Sequence, residues 1–120
     1  MSNSNNDLQS WVRSITALYI FRILSDGPAY GNKIAAEIRS RTTDRLNPNT
    51  NALYPLLHIM EERGYIIGKW EKPNTRSKRI YTITAGGTAR IPFVEQKVRE
   101  RLNDMELLVD VLREDLLDNQ

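Results

Sequence analysis

The 120-residue chain has the length of one domain, and its 40% hydrophobic and 27% charged residues supply both a core and solubility, which argues against disorder along its length. The absence of cysteine excludes disulfides, a thiolate nucleophile, iron–sulfur ligation and cysteine zinc sites; with one histidine, His58, no metal and no organic cofactor is expected. No apolar run approaches the roughly 20 residues of a membrane span, and the polar start MSNSNNDLQS is unlike a signal peptide, so a cytoplasmic protein with no membrane partner is expected.

The formal net charge of +2 hides a division. Residues 1–94 carry 13 Lys/Arg against 7 Asp/Glu, whereas residues 95–120 carry 4 against 8. A basic body followed by an acidic tail points to a polyanionic partner for the body, the alternative being a mixed solvated surface.

In chain order, Leu8, Trp11, Val12, Ile15, Leu18, Tyr19 and Ile23 follow helical spacing, which predicts a first helix from about Asp7 to Ser25. Its second half, ALYIFRIL, is apolar almost all round and needs more than one neighbour. Asp26-Gly27-Pro28 ends it, and a second helix is expected from Tyr30 to Arg41, with Ile34, Ala35 and Ile38 inward and Lys33, Glu37 and Arg39 outward. The polar stretch Asn47 to Asn51 around Pro48 suits a turn and a helix start. A third helix is predicted from near Thr50 to Gly64, with Leu53, Leu57 and Met60 as its apolar stripe; spacing alone does not place Tyr54 or Leu56. Its polar N-terminus is chemically suited to phosphate.

Beyond Gly64, the β-branched and aromatic runs YIIGKWE and KRIYTIT flank the turn-forming KPNTRS, the pattern of a β-hairpin. Lys69, Lys72, Arg76, Lys78 and Arg79 make its far end a basic finger. Thr84 is the expected N-cap of a final helix, in which Pro92 predicts a kink or a restart between Thr88 and Pro92. From Val98 onward, Leu102, Met105, Val109, Leu112 and Leu116 follow at intervals of 4, 3, 4, 3 and 4, a heptad seam. Such a helix at the end of a small domain is expected to meet a second copy, the alternative being that it folds back on its own domain.

Helix, helix, helix, basic hairpin, long helix is the order of a winged helix-turn-helix. Three segments resemble the PadR-like family of transcriptional regulators: LYIFRILSDGPAYGNKIAAEI, with its Tyr30-Gly31 pair; ALYPLLHIMEERGYI, similar to the family's recognition helix; and TRSKRIYTITAGG, similar to its second wing strand. The resemblance covers roughly residues 14–117 and is to the short members with a single carboxy-terminal helix. The chain departs from the family at Asn51-Ala52, usually Gly-Thr, at Thr84-Ala85-Gly86-Gly87, usually Thr-Glu-Ala-Gly, and at Pro92.

The expected fold is therefore mainly α with a small β-hairpin: a winged helix-turn-helix DNA-binding domain over residues 1–84 and a dimerisation helix over 85–120. DNA contacts are expected from Lys33, Asn49, Thr50, Asn51, Tyr54, His58, Arg76, Lys78 and Arg79. Asn49 is equally suited to capping the helix, and Tyr54 to packing under the wing. Leu8, Trp11 and Ile15 join Val98, Leu102, Met105, Val109, Leu112 and Leu116 as the expected dimer interface. The resemblance further implies an effector pocket at the dimer centre, lined by side chains of the first and last helices, with Trp11, Ile15 and Met105 receiving a small aromatic or apolar molecule, although packing alone also accounts for Trp11. The acid pairs Glu61-Glu62 and Glu114-Asp115 are read as exposed and not catalytic, so no enzyme is expected. The predicted function is a homodimeric repressor that binds a palindromic double-stranded DNA operator and is released by an effector; the alternative is a dimeric adaptor that uses the same scaffold on an acidic protein.

Overall fold

The computed structural model describes residues 4–72 and 78–118. In order they form α1 (Ser4–Ser25), β1 (Ala29–Tyr30), α2 (Gly31–Arg41), α3 (Thr50–Glu62), β2 (Ile66–Trp70), β3 (Arg79–Ile83) and α4 (Ala85–Leu112), which runs on into a π-helical stretch, Arg113–Asp118. The expected two-stranded hairpin is a three-stranded antiparallel sheet of order β1-β3-β2. Ala29 pairs with Tyr81 and Tyr30 with Ile80 on one side of β3, while Gly68 pairs with Tyr81 and Trp70 with Arg79 on the other. A two-residue strand has no periodicity to betray it. Tyr30, expected as the first residue of the second helix, is instead in β1 and stands as the N-cap of α2.

Local chemistry sets the boundaries. Gly27, at φ +146°, takes a conformation that side chains disfavour and turns the chain out of α1. Gly64, at φ +78°, ends α3 as the left-handed residue of a Schellman motif, in which the Gly64 N–H donates to the Glu61 carbonyl and the Tyr65 N–H to the Met60 carbonyl, both at 2.9 Å. Thr84 caps α4: its Oγ1 accepts from the Gly87 N–H at 3.0 Å and donates to the Gly64 carbonyl at 2.6 Å.

The core gathers Ile20, Phe21, Ile23 and Leu24 of α1, Ile34 and Ile38 of α2, Leu53, Leu57 and Met60 of α3, Ile66 and Tyr81 of the sheet, and Val94 of α4. Leu56, unplaced by spacing, is buried too. The all-round apolar half of α1 is thus enclosed by the other helices and the sheet. α4 passes through Pro92 as one helix, so the expected restart is absent. Its first half is held by the Thr84 cap, by Val94, Ile91 and Val98 on the core, and by the Arg22–Glu95 ion pair. These contacts offset the one helical hydrogen bond that proline removes. Residues 101–117 are all exposed, and the molecule measures 65 × 33 × 27 Å with this arm.

Candidate nucleic-acid interface

α2, the turn and α3 form the helix-turn-helix, with the β2–β3 wing beside α3. At the start of α2 the N-cap Tyr30 makes no side-chain cap bond and the first turn carries no acid. The first N–H groups of α2 therefore keep their capacity for an anion. Gly31 explains the Tyr30-Gly31 pair: a Cβ there would lie 2.6 Å from the Tyr54 hydroxyl oxygen, so glycine lets the α3 tyrosine lie against α2. Tyr54 remains 40% exposed in that position, neither sunk under the wing nor free of packing.

Asn49 is the N-cap of α3, its Oδ1 accepting from the Ala52 N–H at 3.0 Å, so its oxygen is engaged in capping. The side chains of Thr50 and Asn51, and the whole of Arg76, lie outside the described residues. His58 is exposed one turn beyond Tyr54, with Nε2 3.7 Å from Glu62 Oε1. A groove of about 530 Å³ between α3 and the wing is lined by Tyr54, His58, Glu61, Glu62, Arg79 and Tyr81. Burial pushes the Tyr81 hydroxyl pKa above its ordinary value, with Arg79 pulling the other way.

On the remaining basic positions the structure divides the expected set. Lys33 and Lys69 are exposed. Lys78 is exposed with Nζ 5.5 Å from the centre of the Tyr30 ring, while the Tyr30 hydroxyl donates to Glu71 Oε1 at 2.7 Å and is raised in pKa mainly by that bond. Arg79 differs from expectation. Its guanidinium turns inward to Glu61 Oε2 at 2.7 Å, so it is not an open cation of the wing tip, and Glu61 is not a purely solvated acid. Sequence reasoning missed the pair because the two residues are 18 apart, on a helix and a strand whose packing no spacing reveals. Gly68, which makes room for Arg79, was equally invisible.

A recess of about 300 Å³ between α1 and α4 is lined by Trp11, Ile15, Leu18, Tyr19, Arg22, Val98 and Leu102. Trp11 and Ile15 both line this recess, whereas Met105 is not in its lining. Arg101 occupies the neighbourhood of the indole, its guanidinium carbon 5.8 Å from the Trp11 ring centre. Val98, expected at the start of an intersubunit seam, packs partly on its own core. Leu8, Leu102, Met105, Val109, Leu112 and Leu116 are 40–58% exposed. Among the described residues no cluster of three His, Cys, Asp or Glu is arranged to hold a metal, and no helix is long and apolar enough to cross a membrane.

Three helices, a small antiparallel sheet with a wing and a long last helix define a winged-helix protein. The sequence profile of the Transcriptional regulator PadR-like family matches residues 20–92, and the chain belongs to that family. A transcriptional regulator of Mycobacterium tuberculosis, Rv3488, is 29% identical over 84 residues, which are 70% of this chain and 76% of that protein. A transcriptional regulator from Clostridium thermocellum is 26% identical with a TM-score of 0.61, over 88% of this chain and 96% of the other. A PadR family transcription regulator from Clostridium difficile shares the fold at 21% identity and a TM-score of 0.62, over 78% and 97% of the two chains. The family's members are transcriptional regulators that bind DNA, and not enzymes.

Proposed function

We propose that the chain is a homodimeric, sequence-specific DNA-binding repressor, with residues 1–84 as the DNA-binding part and 85–120 as the dimerisation helix. The observation that carries the reading is the presence of two distinct surfaces. The first comprises the uncapped start of α2, the exposed Tyr54 and His58 of α3, and the wing with Lys69 and Lys78. The second is made by the exposed apolar residues Leu102, Met105, Val109 and Leu112 of α4. The first suits phosphate and groove contacts, and the second, on a helix with no further core to cover it, suits a second copy. Asn51 and Tyr54 of α3 are assigned to base edges and backbone, Lys33, Arg76 and Lys78 to phosphate.

The division at residue 84 is functional, because α4 enters the core of the body through Val94. A small aromatic or apolar effector, seated in the α1–α4 recess by Trp11 and Ile15, relieves repression by favouring a dimer spacing that no longer fits the operator. Selection from a random duplex library with the wild-type protein tests the reading: an enriched inverted repeat is expected, and a pool without enrichment would overturn it.

A further inference from the structure

The guanidinium of Arg79 joins α3 to both strands of the wing. Its Nη2 donates to Glu61 Oε2 on α3 and to the Gly68 carbonyl on β2, each at 2.7 Å. The Gly68 N–H donates to the same Glu61 oxygen at 3.2 Å, closing a ring of bonds among carboxylate, guanidinium and strand backbone. The guanidinium carbon also lies 5.2 Å from the Trp70 ring centre and 5.9 Å from that of Tyr81, within cation–π reach. Arg79 and Glu61 are 30% and 24% exposed, which shields the pair from much of the screening that weakens surface ion pairs. Gly68 belongs to the device through its lack of a side chain. A Cβ there would stand 2.7 Å from Arg79 Nη2 and 2.8 Å from a Tyr81 ring carbon.

We propose that Glu61, Gly68 and Arg79 form a latch that fixes the wing against the recognition helix, and that they are positioning residues for DNA discrimination, not phosphate contacts. The inference rests on the DNA-binding reading above. Groove contacts from α3 and backbone contacts from the wing engage one duplex together only if their spacing is held, and Glu61 and Arg79 lie on the two parts concerned. Opening the latch leaves the exposed wing lysines in place, so attraction to any duplex persists. What is lost is the fixed spacing that one sequence rewards.

Three variants break the latch differently. Gly68→Ala preserves every charge and displaces the guanidinium; Arg79→Lys preserves the charge and loses the planar fork; Glu61→Gln preserves the shape and removes the anion. Each is titrated with the duplex selected by the wild-type protein and with random duplex, over a range of salt. The ratio of selected to random affinity is expected to fall about tenfold in all three, with the salt dependence of Gly68→Ala and Arg79→Lys unchanged. If Arg79 were instead a phosphate ligand, Glu61→Gln would free it and tighten both duplexes with their ratio intact, an outcome that overturns the proposal. So would an unchanged ratio in folded Gly68→Ala or Arg79→Lys, and Arg79→Lys carries this arm alone if Gly68→Ala does not fold. A DNA-free arm separates the latch from the function: in a Trp11→Phe background Trp70 emission is expected to shift in each variant, and no shift overturns the latch. A wild-type protein that does not discriminate between duplexes defeats the DNA-binding reading, and with it the latch's role in discrimination, while the Trp70 arm still decides whether the latch exists.

Discussion

Thr84 and Gly87 show how much a few atoms settle at the junction between the wing and α4. The Thr84 hydroxyl caps the helix and ties it to the turn after α3, and Gly87 lets that first helical turn press on the Tyr65 carbonyl, with which a Cβ would collide. Gly86, next to it, has only ordinary neighbours, the Gly64 carbonyl oxygen at 3.4 Å being the nearest. The two adjacent glycines should therefore respond oppositely to alanine. Gly87→Ala is expected to destabilise by about 1–3 kcal/mol through overpacking against backbone, and Gly86→Ala to stabilise by up to about 1 kcal/mol through helix propensity. Urea midpoints with unchanged slopes measure both, and equal effects at the two positions would contradict the packing. Asn49 illustrates the same economy in α3, since the amide expected to touch DNA already has its oxygen on the Ala52 N–H.

Among the elements, α4 carries the heaviest demands. It packs on the core over its first half and is exposed from residue 101 onward, with Arg101 and Leu102 still beside α1, so Val98 belongs to both regimes. Replacing Leu102 and Val109 by Asp is expected to give monomers by light scattering, because each charge would be buried without a partner in the seam; a persistent dimer would contradict the assignment. Pro92 is exposed within an unbroken helix. Pro92→Ala should therefore restore one hydrogen bond and raise stability by about 1–3 kcal/mol, with affinity for the selected duplex unaltered. A large change in that affinity would contradict this and point to a bend at Pro92 that sets how the body and the arm are joined.

The helices were legible beforehand because their apolar residues recur at helical spacing: Ile34 and Ile38, or Leu53, Leu57 and Met60, are buried as that spacing requires. The cap at Thr84 and the stop at Gly64 were equally readable, each being a local rule. β1 was not, because two residues acquire their strand character only by pairing with Ile80 and Tyr81. Nor was the inward turn of Arg79, which depends on a carboxylate contributed by a different element.

At the scale of the molecule, the formal charge division acquires a shape. The acidic residues beyond Glu95 belong largely to the exposed arm, so the body that precedes it keeps a net positive charge suited to a polyanion. In the proposed dimer, joined through the arms, two α3 helices would stand at one separation, which the proposed effector would have to alter. The central claim is that two copies read one duplex symmetrically, and hydroxyl-radical footprinting of the protein on its selected duplex tests it most directly. Two protected patches related by a dyad and centred about one helical turn, ~34 Å, apart are expected; a single patch, or protection without a boundary, would contradict the account.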